Sequence, residues 1–180
     1  MRKEGFIIRN IANQYMVQVK ENDKKIDYAC NARGKFKKQD ISPVVGDRVK
    51  IEIADIEKKI AVIEEIENRT TFIKRPKLAN CQKLIFVLST EMPKPDLWLL
   101  DKQLVFAEYL HLEPVIVINK IDLDKDKKVD KIKKLYEKIG YPVIQTNAKT
   151  GEGIEKLKRY LKGNISAFSG NSGVRKIYLN

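Results

Sequence analysis

The sequence predicts two units of different class: an all-β barrel over residues 1–70 and an α/β unit built on a parallel sheet over residues 71–180. Three observations predict this. Residues 5–66 hold five short runs of β-branched, often alternating residues, the period-two pattern of half-buried strands. From residue 83 onward, continuous apolar runs alternate with amphipathic segments, as buried parallel strands alternate with the helices that cover them. Between them, residues 68–82 (NRTTFIKRPKLANCQ) follow neither period, and the division is placed near residue 70.

The first five runs are GFIIRNI, YMVQVK, IDYAC, DRVKIEIADI and KIAVIEEI, separated by Asn, Asp, Lys and Gly turns. Glu57-Lys58-Lys59 lies between the last two and reads as a hairpin tip. No helical stripe is expected in this half. Five strands in so short a stretch suggest a small closed barrel, and the OB-fold is the commonest five-stranded barrel that binds oligonucleotides. An SH3-like barrel has the same sequence pattern.

In the second half LIFVLST is a buried strand. Residues 96–112 then place Leu97, Leu100, Leu104, Ala107 and Leu110 on one helical face. PVIVIN is a second strand, and residues 126–139 form a helix expected to turn Val129, Ile132, Leu135 and Ile139 inward. PVIQT, residues 152–161 and ISAFSG follow as strand, helix and strand.

Hydrophobic residues make up 43% of the 180-residue chain and aromatics 8%, which excludes a disordered polypeptide. The longest apolar runs are strand-length, too short to span a bilayer. The N-terminus lacks the apolar core of a signal peptide, so no membrane or export role is expected. Cys30 and Cys81 stand apart, with no Cys or His at metal-ligand spacing, as in a reduced, cytoplasmic protein. The lone His111 sits near the end of an amphipathic helix and reads as structural. The net charge of +12 is spread over both halves. It suits a polyanionic partner such as RNA, and equally suits solubility alone.

The chemistry lies in three loops, each following a buried strand. Asn119-Lys120-Ile121-Asp122 follows PVIVI, at the strand end where open α/β sheets bind ligands. It resembles the N-K-x-D element of GTPases. There the Asp carboxylate accepts from guanine N1–H and the exocyclic amine, an edge adenine lacks, while the Asn and the Lys stem order the neighbouring loops and cover the ring. Asn147-Ala148-Lys149-Thr150-Gly151-Glu152-Gly153 follows PVIQT and resembles the S-A-K-T-G-E-G loop. The backbone N–H near Ala148 is expected to meet the guanine carbonyl oxygen, and Lys149 to flank the base. Asn147 replaces a serine, and both residue types hold such turns by side-chain hydrogen bonds.

The third loop, Gly170-Asn171-Ser172-Gly173-Val174-Arg175-Lys176, follows ISAFS and aligns with a phosphate loop. Ordinary GTPases place this loop first and the guanine loops last, so the order here is a circular permutation. With a small basic barrel in front and the joining residues Asn68, Arg69, Arg75, Pro76, Ala79 and Asn80, the chain resembles the small ribosomal subunit biogenesis GTPases over residues 5–174. Gly34-Lys35-Phe36 and Val45-Gly46-Asp47-Arg48-Val49 add to the likeness. The resemblance implies an OB-fold that contacts 16S ribosomal RNA, followed by a circularly permuted P-loop GTPase domain that binds GTP or GDP with magnesium. It also implies a zinc-binding domain, a cytoplasmic monomer, and a role in late maturation of the 30S ribosomal subunit. Within the barrel, Arg33, Lys35, Lys37 and Lys38 surround Phe36; the cations would pair phosphates while Phe36 stacks on a base. The alternative is a solvated loop with Phe36 tucked into the barrel.

The phosphate loop departs from G-x-x-x-x-G-K-[ST]. Gly170 and Lys176 keep their places, but Arg175 stands at the second glycine and Ile177 at the magnesium-binding hydroxyl. The chain is therefore expected to be an incomplete α/β GTPase domain truncated within this loop, without the switch segment or the zinc ligands, and inactive in hydrolysis. One inserted nucleotide ahead of codons for Gly-Lys-Ser-Thr-Leu-Ile-Asn can yield Arg-Lys-Ile-Tyr-Leu-Asn and a stop. A deliberately shortened chain and a degenerate paralogue are the other origins. A non-enzymatic RNA-binding barrel is the competing functional class.

Overall fold

Tyr15, Val17 and Val19 alternate along β2 (Gln14–Glu21), and all three are buried. Inward alternation also marks β3 (Lys24–Ala32) and β4 (Arg48–Asp55), while β1 (Arg2–Ile11) buries Ile7 and β5 (Ile60–Ile66) buries Ala61 and Ile63. In the computed structural model, which describes residues 1–12, 14–38, 41–125, 127–171 and 173, these strands close into a barrel of order β1-β2-β3-β5-β4. β3 pairs with β5 in parallel and every other pair is antiparallel, so this is a five-stranded Greek-key barrel of the OB type. Asn22 and Asp23, both at positive φ (45° and 62°), make the tight turn between β2 and β3 that such residues favour. Between β4 and β5 the Asp55 carboxylate accepts the Lys58 N–H at 2.9 Å, and the expected tip forms.

One helical turn, α1 (Lys35–Lys38), interrupts the barrel after β3, where no helix is expected from periodicity. Four residues are too few to show a stripe. Phe36 anchors the turn: it is only 6% exposed and lies in the barrel core with Tyr28, Cys30, Ile51 and Ile63.

The aperiodic joining segment folds as a hairpin, β6 (Phe72–Lys74) with β7 (Lys77–Ala79). It is tied to the barrel by polar contacts. Asp47, fully buried, accepts Arg69 Nε at 2.7 Å and Nη2 at 2.8 Å, and the Val44 N–H at 2.8 Å. Asn80 donates to the Gly46 carbonyl at 2.9 Å and accepts the Thr70 N–H at 2.9 Å. Gly46 has φ +88°, and a Cβ there would lie 2.0 Å from the Ala79 carbonyl oxygen, so the close approach requires glycine. Residues 71–81 accordingly cluster with the barrel in one unit, Met1–Cys81, and the second unit begins at Gln82.

The second unit holds a parallel sheet of order β10-β9-β8-β11, built from β8 (Lys83–Ser89), β9 (Glu113–Asn119), β10 (Val143–Gln145) and β11 (Ser166–Gly170). Ile85, Phe86, Val87 and Val115, Ile116, Val117, Ile118 are buried in unbroken runs, because helices or loops cover both faces of the two central strands. α2 (Leu97–Tyr109) starts where the Asp96 side chain accepts the Leu99 N–H, and it buries Leu100, Leu104 and Ala107; Leu97 and Leu110 are only partly covered. α3 (Lys128–Lys138) buries Val129, Ile132 and Tyr136. Leu135 and Ile139, expected inward, are 52% and 61% exposed. The inward stripe is i, i+3, i+7, which places Leu135 off the face and Ile139 beyond the helix end. The Tyr136 hydroxyl donates to Asp101 at 2.7 Å, joining α3 to α2. α4 (Ile154–Leu161) buries Leu157 against the sheet. No helix among the described residues is long and apolar enough to cross a membrane.

Candidate functional site

Both guanine-type loops leave the C-terminal end of the sheet, after the adjacent strands β9 and β10, and one side chain ties them together. Asn119 is fully buried at the end of β9. Its Oδ1 accepts the Ala148 N–H at 2.9 Å and the Thr146 hydroxyl at 3.1 Å. Ala148 N–H, expected to face a guanine carbonyl oxygen, is thus directed at Asn119 in this structure.

After Asn119 the chain turns sharply. Lys120 has φ +61°, in the left-handed region, and residues Ile121–Leu123 follow as a single 3-10 turn. Lys120 is buried to 8% exposure; its Nζ donates to the carbonyl of Met92 and reaches that of Glu91 at 3.5 Å. Asp122 lies in the 3-10 turn with its carboxylate exposed. An exposed carboxylate at this strand end can accept two parallel donors, such as the N1–H and amine of a guanine edge.

The second loop is held by its own Asn. Asn147 Oδ1 accepts the Lys149 N–H at 3.0 Å and the Thr150 N–H at 3.4 Å, while its carbonyl accepts the Gly151 N–H at 2.9 Å. Here the substitution for serine supplies an Asx turn. Gly153 has φ +75°, and a Cβ there would lie 2.0 Å from the Gln145 carbonyl oxygen; only glycine lets the loop close against β10.

Gly170 ends β11, paired with Val87, and Asn171 is exposed beyond it. Gly173 adopts φ +85°, and a Cβ there would sit 3.5 Å from Pro93 Cδ and 3.8 Å from the Met92 carbonyl oxygen. Ser172, Val174 and Lys176, together with Arg175 and Ile177, lie outside the described residues.

On the barrel, the expected RNA contact is rearranged. Phe36 points into the core and cannot stack on a base. Apolar burial wins over exposure because the short turn α1 carries the ring inward. Arg33, its side chain 52% exposed, is ion-paired with Glu64 and with Glu52 at 3.2 Å. Lys35 is exposed, its ammonium 5.5 Å from the Phe36 ring centroid. Lys37 and Lys38 complete α1.

The RsgA GTPase family matches residues 66–179, and the RsgA N-terminal domain matches residues 4–63. The chain belongs to the RsgA GTPase family. It is 42% identical over 175 residues to a small ribosomal subunit biogenesis GTPase RsgA of Caldanaerobacter subterraneus subsp. tengcongensis, covering 97% of this chain and 57% of that protein. Its identity to the RsgA of Thermotoga maritima is 41% over 179 residues, covering 98% of this chain and 59% of the relative. The chain therefore spans under two thirds of the length of these RsgA proteins. Among solved structures, YjeQ from Thermotoga maritima superposes with a TM-score of 0.85 at 39% identity, over 99% of this chain and 64% of that one. YloQ, described as a circularly permuted GTPase, gives 0.82 at 30% identity, over 97% and 61%. The fold is thus an RsgA-type barrel followed by a partial P-loop domain.

Within this RsgA site, sequence reasoning missed Thr90 and Thr146. Thr146 is fully buried and bonds Asn119; Thr90 is 4% exposed, and its hydroxyl donates to the Lys120 carbonyl at 2.7 Å. Each directly follows a buried apolar strand, and a hydroxyl at that position is the signal that was available. Among the described residues no group of three or more His, Cys, Asp or Glu could hold a metal, and position 177 is isoleucine where the phosphate-loop pattern has a hydroxyl residue.

Proposed function

We propose that this chain recognises guanine nucleotides as part of a GTPase that assembles the small ribosomal subunit. The observation that carries the proposal is Asn119 bridging the two guanine-type loops, with the exposed Asp122 carboxylate three residues further along the chain. In this reading Asp122 accepts the N1–H and amine of guanine, Lys120 and Lys149 flank the ring, and Asn147 fixes the loop that Ala148 opens. Guanine O6 is received by the Ala148 N–H, which turns from Asn119 when the base enters. The family supplies the context of 30S maturation, with the barrel meeting 16S rRNA through its basic surface. Arg33, Lys35, Lys37 and Lys38 serve as phosphate partners there, without a stacking role for Phe36.

Hydrolysis by this chain is absent in the same proposal. Arg175 puts a side chain where backbone must approach phosphate, and Ile177 offers magnesium no oxygen. Gly170, Asn171, Ser172, Gly173, Val174 and Lys176 then hold phosphate weakly, and GTP, GDP and GMP bind alike.

Titration of the whole chain with fluorescent guanine and adenine nucleotides, with and without magnesium, tests the reading. The expected result is a guanine preference without magnesium dependence. Equal affinity for adenine, together with retained binding to 30S subunits, would overturn it in favour of a barrel that binds RNA without nucleotide chemistry.

A further inference from the structure

We propose that residues 89–93 form a strap that positions the guanine-reading loop, with Thr90 as its positioning residue. The inference rests on the guanine reading of residues 119–122.

Thr90 follows β8 directly and lies outside both guanine-type motifs. It holds two consecutive carbonyls of the N-K-x-D element: its N–H donates to Asn119 O at 3.2 Å and its hydroxyl to Lys120 O at 2.7 Å. The element answers in kind, because Lys120 Nζ donates to the carbonyls of Met92 and Glu91. The Ser89 hydroxyl closes the strap on itself by donating to Pro93 O at 2.6 Å. Glu91 lies 3.6 Å from Lys128 Nζ, at the first residue of α3.

Backbone conformation points the same way. Lys120 (φ +61°) and Met92 (φ +47°) are both non-glycine residues in the left-handed region, which side-chain-bearing residues avoid. Such conformations persist where surrounding bonds over-determine them, and here the two residues are joined by the Lys120–Met92 hydrogen bond. The Met92 carbonyl that takes the lysine also borders Gly173 of the phosphate loop. The strap therefore touches the guanine-reading loop and the phosphate loop at once.

The consequence falls on Asp122. Its aim is set by the 3-10 turn after Lys120, and Leu123 N–H donates to the Lys120 carbonyl at 2.9 Å, the oxygen that Thr90 also holds. Without the Thr90 hydroxyl, this carbonyl loses a buried partner and the turn carrying Asp122 loosens.

The test compares Thr90→Val and Thr90→Ser in the full chain. Inosine diphosphate keeps O6 and N1–H but lacks the amine that Asp122 accepts. The expected result is that Thr90→Val lowers affinity for guanosine diphosphate about tenfold and that for inosine diphosphate much less, so the preference between them collapses. Thr90→Ser restores it. An equal fall for both nucleotides, or a serine variant no better than valine, overturns the positioning role. Amide hydrogen exchange without nucleotide gives a second reading: peptides covering residues 119–124 exchange faster in Thr90→Val while barrel peptides do not change, and an unchanged rate overturns the strap. Should the wild-type chain show no preference for guanine over adenine, the guanine reading fails separately, and the exchange measurement still decides the strap.

Discussion

Asn119 accepts the Ala148 N–H at 2.9 Å, so one side-chain oxygen holds together two loops that stand 29 residues apart in sequence. The same oxygen takes the Thr146 hydroxyl. Asn119→Ala removes the partner of the buried Thr146 hydroxyl and of the partly buried Ala148 N–H, at a cost of about 1–3 kcal/mol. Urea denaturation should show that loss, and fluorescent guanosine diphosphate titration should show guanine selectivity gone.

Asp122 is exposed, so its substitution should leave stability alone. Asp122→Asn replaces one acceptor by a donor. It should weaken binding of guanosine diphosphate and strengthen that of xanthosine diphosphate, whose C2 oxygen accepts from the new amide. Competition titration with the two nucleotides measures the exchange of preference.

Gly153 tolerates no side chain, because a Cβ would meet the Gln145 carbonyl oxygen at 2.0 Å and φ is +75°. Gly153→Ala should destabilise the second unit by more than about 1 kcal/mol. Gly140→Ala is the informative control: its φ is +98° with nothing within 4 Å, so it suffers backbone strain alone. Thermal unfolding of the two variants should separate clash from strain.

Arg69→Ala should be costly. Asp47 has no exposed surface, and Arg69 supplies two of its hydrogen bonds. Breaking a buried pair from one side costs about 3–5 kcal/mol, moderated here because Arg69 itself is 21% exposed. Arg69→Lys keeps the charge and loses the fork, and chemical denaturation should place it between wild type and alanine.

Burial pushes the Cys30 thiol up from 9.0 to about 12, and burial with Asp101 pushes the Tyr136 hydroxyl up from 10.0. Both groups are neutral when folded. A raised folded value contributes stability that is complete below the unfolded value and lost as pH rises through the folded one. The thermal midpoint should therefore hold below pH 9 and fall above it, with a shallower fall in Cys30→Val.

Much of this was legible beforehand, and the exceptions have physical causes. The strands of the barrel and of the parallel sheet declared themselves by alternation or by unbroken apolar runs, since burial on one face or on two leaves those patterns, whereas the three-residue strands β6 and β7 are too short to show either. The guanine-type loops were legible because each directly follows a buried strand and carries a short fixed run of residue types, Asn119-Lys120-Ile121-Asp122 and Ala148-Lys149-Thr150-Gly151. Phe36 was not: a lone aromatic among lysines carries no periodicity, and only the turn Lys35–Lys38 reveals that the ring points inward. Leu135 and Tyr136 exchanged roles because the inward stripe that begins at Val129 and Ile132 continues at i+7 and not at i+6. Thr90 escaped notice because its partners, Asn119 and Lys120, are distant in sequence.

The ties between the barrel and residues 66–81 decide where the polypeptide can be divided. A protease nicking after residue 70 would part Asn80 from Thr70 and Gly46, and Ala79 from Val45, leaving both fragments with torn edges. A nick after Cys81 would release a piece that keeps its own core and the Asp47–Arg69 clasp intact. Limited digestion of this chain should accordingly yield an N-terminal fragment of about nine kilodaltons, ending beyond the hairpin rather than before it.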